Sequence, residues 1–327
     1  MLDILVSHYD EPVATVAAFL SMLDAQDADP SSFRVYVGND GHDVPVPQEA
    51  LSGHAYDVRY VETHHGGVSH VRNALIDASD GEYLMLCDVD DRLMDGSCLS
   101  RYVTMCDGSD VVMSAFAKGD EPMPPNTLLV HGKAFRRRYL EDNGIRFDDD
   151  LTRCSDGYFL VQTTLLTRSV NRTDDVLYVW VQRDGSVCHS EPDFVTVNFW
   201  HRVEANGRLA ERYAGMGMGH LSRMFSSRLV HQSYLTMHTD AWERHADDFR
   251  CRFAVRCLSW WLGRLYDGYA SLPEGARRYR FEVATRAFPD PPDAPFDGIG
   301  PWVRSLSGIG LSEALSLPAA PPRESVV

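Results

Sequence analysis

The chain has 327 residues, 44% of them hydrophobic, enough for one large domain or two modest ones with a genuine core. Its 47 acidic against 31 basic residues leave a formal charge of −16, which argues against broad binding to nucleic acid or to an anionic membrane, since either needs a basic face. The 7 cysteines form no Cys-x-x-Cys pair, so neither a disulfide framework nor a zinc site is expected. No apolar run approaches the ~20 residues of a membrane span, and the N-terminus opens on a strand with no basic leader, so the setting expected is cytoplasmic and reducing.

In chain order, Asp3–Ser7 reads as a strand. Asp10 stands where a helix cap would, with Pro12 in the first turn, and Val13, Val16, Ala17, Leu20 and Leu23 then recur at helical spacing. A second strand, Arg34–Gly38, runs into Asn39-Asp40-Gly41-His42-Asp43, and Asp57–Glu62 is a third. Val68, Val71, Leu75 and Ala78 mark a second amphipathic helix that Ser79-Asp80-Gly81 ends. The strand Tyr83–Asp88 follows, then Asp110–Ser114 and Leu128–Val130, with a proline loop at 122–125 between them. This alternation predicts an α/β fold, a mostly parallel Rossmann-like sheet with helices on both faces.

Beyond about residue 190 the periodicity turns helical, over 194–212, 221–237 and 242–269, with aromatics around Trp260-Trp261 that read as core or as an oligomer seam. Phe288-Pro289-Asp290-Pro291-Pro292 breaks the helices, and the tail from Pro318 is too poor in apolar residues to fold. The organisation expected is a sheet domain over 1–190, a helical extension over 191–317 and a disordered tail over 318–327.

The densest chemistry lies where an apolar strand meets Asp88-Val89-Asp90-Asp91. Carboxylates at the carboxyl end of a sheet strand sit where open α/β sheets bind ligands. Packed this closely they repel one another, and a hard divalent cation that also takes phosphate oxygens relieves the repulsion. A polar loop capping the strand is the plainer alternative. The other notable ends are Ser7-His8-Tyr9-Asp10-Glu11-Pro12 on the first strand and Asn39-Asp40-Gly41 on the second, with Gly66-Gly67-Val68-Ser69-His70-Val71-Arg72-Asn73 opening a helix between them.

Taken in order and spacing over about the first 190 residues, these four pieces resemble the family 2 glycosyltransferases of the GT-A fold. Asn39, His42 and Val71 depart from that pattern, and Asp10 stands where Asn is usual. The resemblance implies an inverting transfer from a nucleotide-sugar, UDP-linked in the favoured case, to a hydroxyl acceptor such as a glycan or glycoprotein. It implies Mn²⁺ or Mg²⁺ held by Asp90, with Asp91 and a late His189 as further ligands. Ser7, Tyr9 and Asp40 would line the base and ribose pocket, Arg72 would meet the diphosphate or orient the carboxylates, Asp88 would contact the ribose or a second coordination site, and Lys133 would help position the diphosphate or an acidic acceptor. Each has a structural alternative: an Asx-turn for Asp40, a helix-surface ion pair for Arg72, packing for Tyr9.

A later segment, His131-Gly132-Lys133-Ala134-Phe135-Arg136-Arg137 through Cys154-Ser155-Asp156-Gly157, is similar to the family's stretch ending in Glu-Asp, whose Asp is the general base. Ser155 replaces the Glu, so the base role falls on Asp156 alone, which also stands where a helix over 157–166 would be capped. The similarity extends to bacterial and phage members. Two other classes stay open: a nucleotidyltransferase of similar sheet, against which the absence of a Gly-rich basic loop after the first strand counts, and a non-catalytic sugar-nucleotide or glycan-binding protein. The C-terminal helices are a possible homo-oligomer surface.

Overall fold

The structure, a computed structural model, describes residues 1–41, 45–151, 154–182, 199–246, 249–286, 288 and 291–306. The chain folds as two compact units, Met1–Ser186 and Val187–Val327.

The first unit is built on nine strands among the described residues. They are β1 (Leu2–His8), β2 (Phe33–Asn39), β3 (Asp57–Glu62), β4 (Tyr83–Asp88), β5 (Arg92–Leu93), β6 (Val111–Lys118), β7 (Glu121–Met123), β8 (Lys133–Arg136) and β9 (Val170–Trp180). The sheet order is β3-β2-β1-β4-β8-β6-β9-β5, with β7 on β6. The strands β3, β2, β1 and β4 are parallel, β8 enters antiparallel to β4 and β6, and β9 runs parallel to β6.

Alternation along β1 explains both layers. Leu2, Ile4 and Val6 pack on one face with Val16, Phe19, Leu20 and Leu23 of α1 (Val13–Asp24). Leu5 turns to the other face, among Val71, Leu75 and Ile76 of α2 (Val68–Ala78) and Phe159 and Leu160 of α5 (Ser155–Leu166). The short α3 (Cys98–Met105) and α4 (Arg137–Asp142) complete the covering. The register sets Ser7 beside both Gly38 and Asp88, so the carboxyl ends of β1, β2 and β4 finish level with one another.

Three local expectations change. Pro12, not Asp10, holds the cap position of α1 and no side chain caps the helix. Residues 128–130 form a loop, because their polar groups are taken up elsewhere: Lys133 Nζ reaches Leu129 O and the Val130 N–H faces Asp156. The helix expected over 242–269 is replaced by two, Asp240–His245 and Phe249–Ala270, with a turn at Ala246.

The second unit is helical: α6 (Phe199–Gly215), α7 (Gly219–Thr236), α8 (Asp240–His245), α9 (Phe249–Ala270), α10 (Glu274–Arg286) and α11 (Ile299–Leu306). Thr239 starts α8 by accepting the Trp242 N–H at 3.1 Å. Trp261 is buried, and Gly207 on α6 lets it approach: a Cβ there would come within 2.4 Å of the indole. Trp260 meets Trp261 edge-on at 4.5 Å. His231 and Tyr269 form a buried pair, Nε2 to hydroxyl, at 3.0 Å. Among the described residues no helix is long and apolar enough to cross a membrane. The expected tail from Pro318 lies outside the described residues.

Candidate active site

Asp88 is the last residue of β4, and its Oδ1 accepts the Ser7 hydroxyl at 3.2 Å and an Arg72 N–H at 2.8 Å. Arg72 lies on the buried face of α2, and its other terminal nitrogen donates to Asp156 Oδ1 at 2.7 Å. One guanidinium therefore ties the acidic strand end to the candidate base. Its Cζ lies over the Phe147 ring, 5.4 Å from the centroid. Burial alone would lower the Arg72 pKa, but Asp88 and Asp156 together raise it. Burial likewise pushes the Asp88 carboxyl up, and Arg72, His131 and Ser7 more than offset this and hold it below the ordinary carboxylate range.

Asp156 reaches this point because of the segment before it. Asn73 donates to Phe147 O at 3.1 Å and to Asp149 Oδ1 at 2.7 Å and accepts the Phe147 N–H at 3.0 Å, stapling that segment to α2. Cys154 then takes a left-handed turn, φ 61°, at the cap position of α5. Asp156 sits in the first turn, where a negative charge suits the helix dipole, and it bonds Arg72 and the Val130 N–H (3.4 Å) rather than capping the helix.

On the other side of Asp88 stands Asp91. Its Oδ1 accepts the Val181 N–H at 2.9 Å and its Oδ2 the Tyr178 hydroxyl at 2.7 Å. The antiparallel pairing of β5 with β9 brings this about, setting Arg92 opposite Val179. His131, from the loop before β8, places Nδ1 at 3.4 Å from Asp91 Oδ2. The imidazole is buried, stacked on Trp180 at 4.8 Å and 18°, and its Nδ1 has no hydrogen-bond partner. Ligand atoms of Asp88, Asp91 and His131 lie within 4.8 Å of one another. Burial raises the Asp91 carboxyl, and the Asp88 charge adds to this against the opposing pull of His131 and Tyr178. Two carboxylates and a buried imidazole whose Nδ1 makes no hydrogen bond suit a divalent cation of the Mn²⁺ or Mg²⁺ kind. Asp90 is half-buried between the two acids.

At the second strand end the Asp40 carboxylate accepts the Gly66 N–H at 2.9 Å and the Gly67 N–H at 2.9 Å, fixing the loop that leads into α2. Gly41 follows with φ +73°, and a Cβ there would lie 2.1 Å from the His65 nitrogen. His65 pairs with Asp40 at 3.2 Å and stacks on Tyr9 at 4.7 Å, giving this end an aromatic wall. Behind it Glu11 accepts from the His8 ring at 3.1 Å and the Tyr9 N–H at 3.0 Å. Burial would raise the Glu11 carboxyl, but these bonds bring it down to about 2.

The family model described as Glycosyl transferase family 2 matches residues 3–166, half of the chain, including the ends of β1, β2 and β4. The chain belongs to glycosyltransferase family 2. Among solved structures, S. aureus TarS 1-349 in complex with UDP-GlcNAc is similar at 16% identity and a TM-score of 0.62, over 87% of this chain and 89% of that one. The same TarS segment in complex with UDP is similar at 15% identity and a TM-score of 0.58, with the same coverage. These likenesses show the GT-A fold. No curated protein sequence matches the chain.

Within this glycosyltransferase the structure gathers Ser7, Arg72, Asp88, Asp91 and Asp156 into one network. Lys133 is differently disposed from a donor-facing lysine. Its ammonium is buried beneath the 127–131 loop, and burial, opposed by Asp156, brings its pKa down to about 8. The Arg136–Arg138 run is far from the site. Arg136 pairs with Tyr83 at the start of β4, about 17 Å from Asp88 at ~3.3 Å per residue. Arg136 and Arg137 hold carbonyls of Gly108, Gly81 and Ile76, and the exposed Arg138 pairs with Asp142. His189 lies outside the described residues. The site residues that the sequence reading missed are His131, quoted in its segment but given no role, and His65, which pairs with Asp40 and stacks on Tyr9.

Proposed function

We propose that this chain is an inverting, metal-dependent glycosyltransferase that moves a sugar from a nucleotide-sugar to a hydroxyl on a glycan or glycoprotein. The observation that carries the reading is the Arg72 guanidinium bonded at once to Asp88 and Asp156. It holds the candidate base within one arginine fork of the acidic strand end, where the leaving diphosphate would lie. That TarS is complexed with UDP-GlcNAc and with UDP favours a uridine donor for this chain too.

In this mechanism Asp156 accepts the proton of the acceptor hydroxyl as that oxygen attacks the anomeric carbon from the face opposite the diphosphate. The C–O bond to the diphosphate breaks in the same displacement, and the anomeric centre inverts. Arg72 and the Val130 N–H fix the carboxylate so that a lone pair stays directed at the acceptor. Asp88, Asp91 and His131 would hold Mn²⁺ or Mg²⁺, with Asp90 as a further candidate ligand. The ion's chemistry there is neutralisation of charge on the leaving diphosphate. Tyr9 and His65 offer a stacking face to the nucleobase. The helical unit is assigned to acceptor or self-association contacts.

The test is a thermal-shift screen of UDP-, GDP-, dTDP- and CMP-sugars with and without Mn²⁺. Ligand that binds the folded state raises the melting temperature by mass action. A shift confined to UDP-sugars and requiring Mn²⁺ is expected; no shift with any of them overturns the reading.

A further inference from the structure

Lys133 is a cation in an apolar setting. It is 2% exposed, and its Nζ lies 6.0 Å from the Phe116 ring centroid. An apolar side chain would pack there without losing hydration, whereas a buried ammonium must be repaid by oxygens. Those oxygens all belong to one loop: Nζ donates to Leu129 O at 2.6 Å, to His131 O at 3.4 Å and to Thr127 Oγ1 at 3.4 Å. The loop is closed from its other end by Gly132, whose φ of +69° turns the chain and whose carbonyl accepts the Ser114 N–H at 2.9 Å. From this one loop emerge the His131 ring, facing Asp91, and the Val130 N–H, facing Asp156.

We propose that Lys133 is a positioning residue of the active site, whose ammonium clamps the 127–131 loop from beneath and so sets the place of the His131 ring beside Asp88 and Asp91. It acts through backbone carbonyls and touches neither donor nor acceptor. The inference rests on Asp88, Asp91 and His131 being the ligands of the ion. Groups that orient a metal ligand from behind change metal affinity by about 10–100-fold when removed.

The experiment uses the full chain and two probes, Mn²⁺ alone followed by electron paramagnetic resonance, and inorganic pyrophosphate in excess EDTA followed by calorimetry. Lys133→Met, which keeps the length and apolar stem, is expected to weaken Mn²⁺ binding about tenfold and to leave pyrophosphate binding in EDTA as in wild type. Lys133→Gln, whose amide can still donate to Leu129 O, is expected to recover part of the lost Mn²⁺ affinity, and it carries the comparison if the Met variant does not fold. Unchanged Mn²⁺ binding in the variants overturns the proposal. Weakened pyrophosphate binding overturns it too, in favour of direct contact with the diphosphate. Wild type that binds no Mn²⁺ defeats the metal reading instead. The clamp is then judged by the His131 ring resonances: Lys133→Met must shift them away from their Trp180-stacked values, and unmoved resonances sink it.

Discussion

Replacing Arg72 with lysine probes the geometry of the site more sharply than removing its charge. Arg72 uses two nitrogens for two carboxylates, at 2.7 Å to Asp156 and 2.8 Å to Asp88. A single ammonium on a flexible stem cannot reproduce that fork, and it gives up the guanidinium that lies over the Phe147 ring. The variant keeps the charge but gives up one charge-assisted hydrogen bond, about 1.5–3 kcal/mol. If that loss falls on the alignment of Asp156, kcat/KM drops roughly 10- to 150-fold at about 1.36 kcal/mol per decade. Arg72→Leu goes further, leaving Asp88 and Asp156 without their cation, and about 3–5 kcal/mol of folding stability is expected to go with it. Release of nucleoside diphosphate measures the first effect and calorimetric unfolding the second. An Arg72→Lys enzyme within twofold of wild type in kcat/KM refutes the idea that the fork holds the base.

Asp156→Asn removes the proton acceptor but keeps the shape, so kcat is expected to fall about 10²- to 10⁴-fold while UDP binding in the presence of Mn²⁺ stays as in wild type. A loss of UDP binding in that variant would move Asp156 out of the base role. Glu11 supplies a pH test: its carboxyl is lowered from 4.5 to about 2, so its stabilising contribution is complete above pH 4.5 and is lost as pH falls toward 2. At neutral pH it amounts to about 3 kcal/mol, so denaturation midpoints of wild type and Glu11→Gln should differ most near pH 7 and converge by about pH 2. His231 has the opposite charge type: burial, with Arg280 and Arg277 nearby, lowers its pKa from 6.5 to about 4. The unfolded chain therefore takes up the proton first, and stability drains away between pH 6.5 and 4 by about 3 kcal/mol. His231→Gln should flatten that part of the urea-midpoint profile, and a profile as steep as wild type would remove His231 as the cause.

The strand ends were legible because local patterns set them: the apolar runs Ile4–Val6 and Tyr83–Cys87, each followed by polar residues, fix the end of a strand to within a residue or two. Asp88 and Ser7 then become neighbours through parallel register, which α/β alternation implies. Arg72 was picked out by the resemblance, with orienting the carboxylates as one of two roles, though that Asp156 would be one of its two partners was not readable. His131 could not be found by spacing, since it reaches Asp91 through a loop and the antiparallel entry of β8. The same loop misled the strand reading at 128–130, where apolar residues suggested a strand but Lys133 and Asp156 take the polar groups a strand would pair. The Arg136–Arg138 run shows the limit of charge patterning: charge alone does not say where a basic cluster lies, and topology sends this one to the far end of β4. Asp10 misled for a smaller reason, that Pro12 takes the cap position of α1.

The most direct test of the account is proton NMR of the purified protein incubated with an α-linked UDP-sugar and a glycan acceptor, with Mn²⁺ and again with EDTA. The account predicts a β-linked product that forms with Mn²⁺, fails with EDTA, and is lost in Asp156→Asn. An α-linked product, or transfer as fast in EDTA or in Asp156→Asn as in wild type with Mn²⁺, would contradict it.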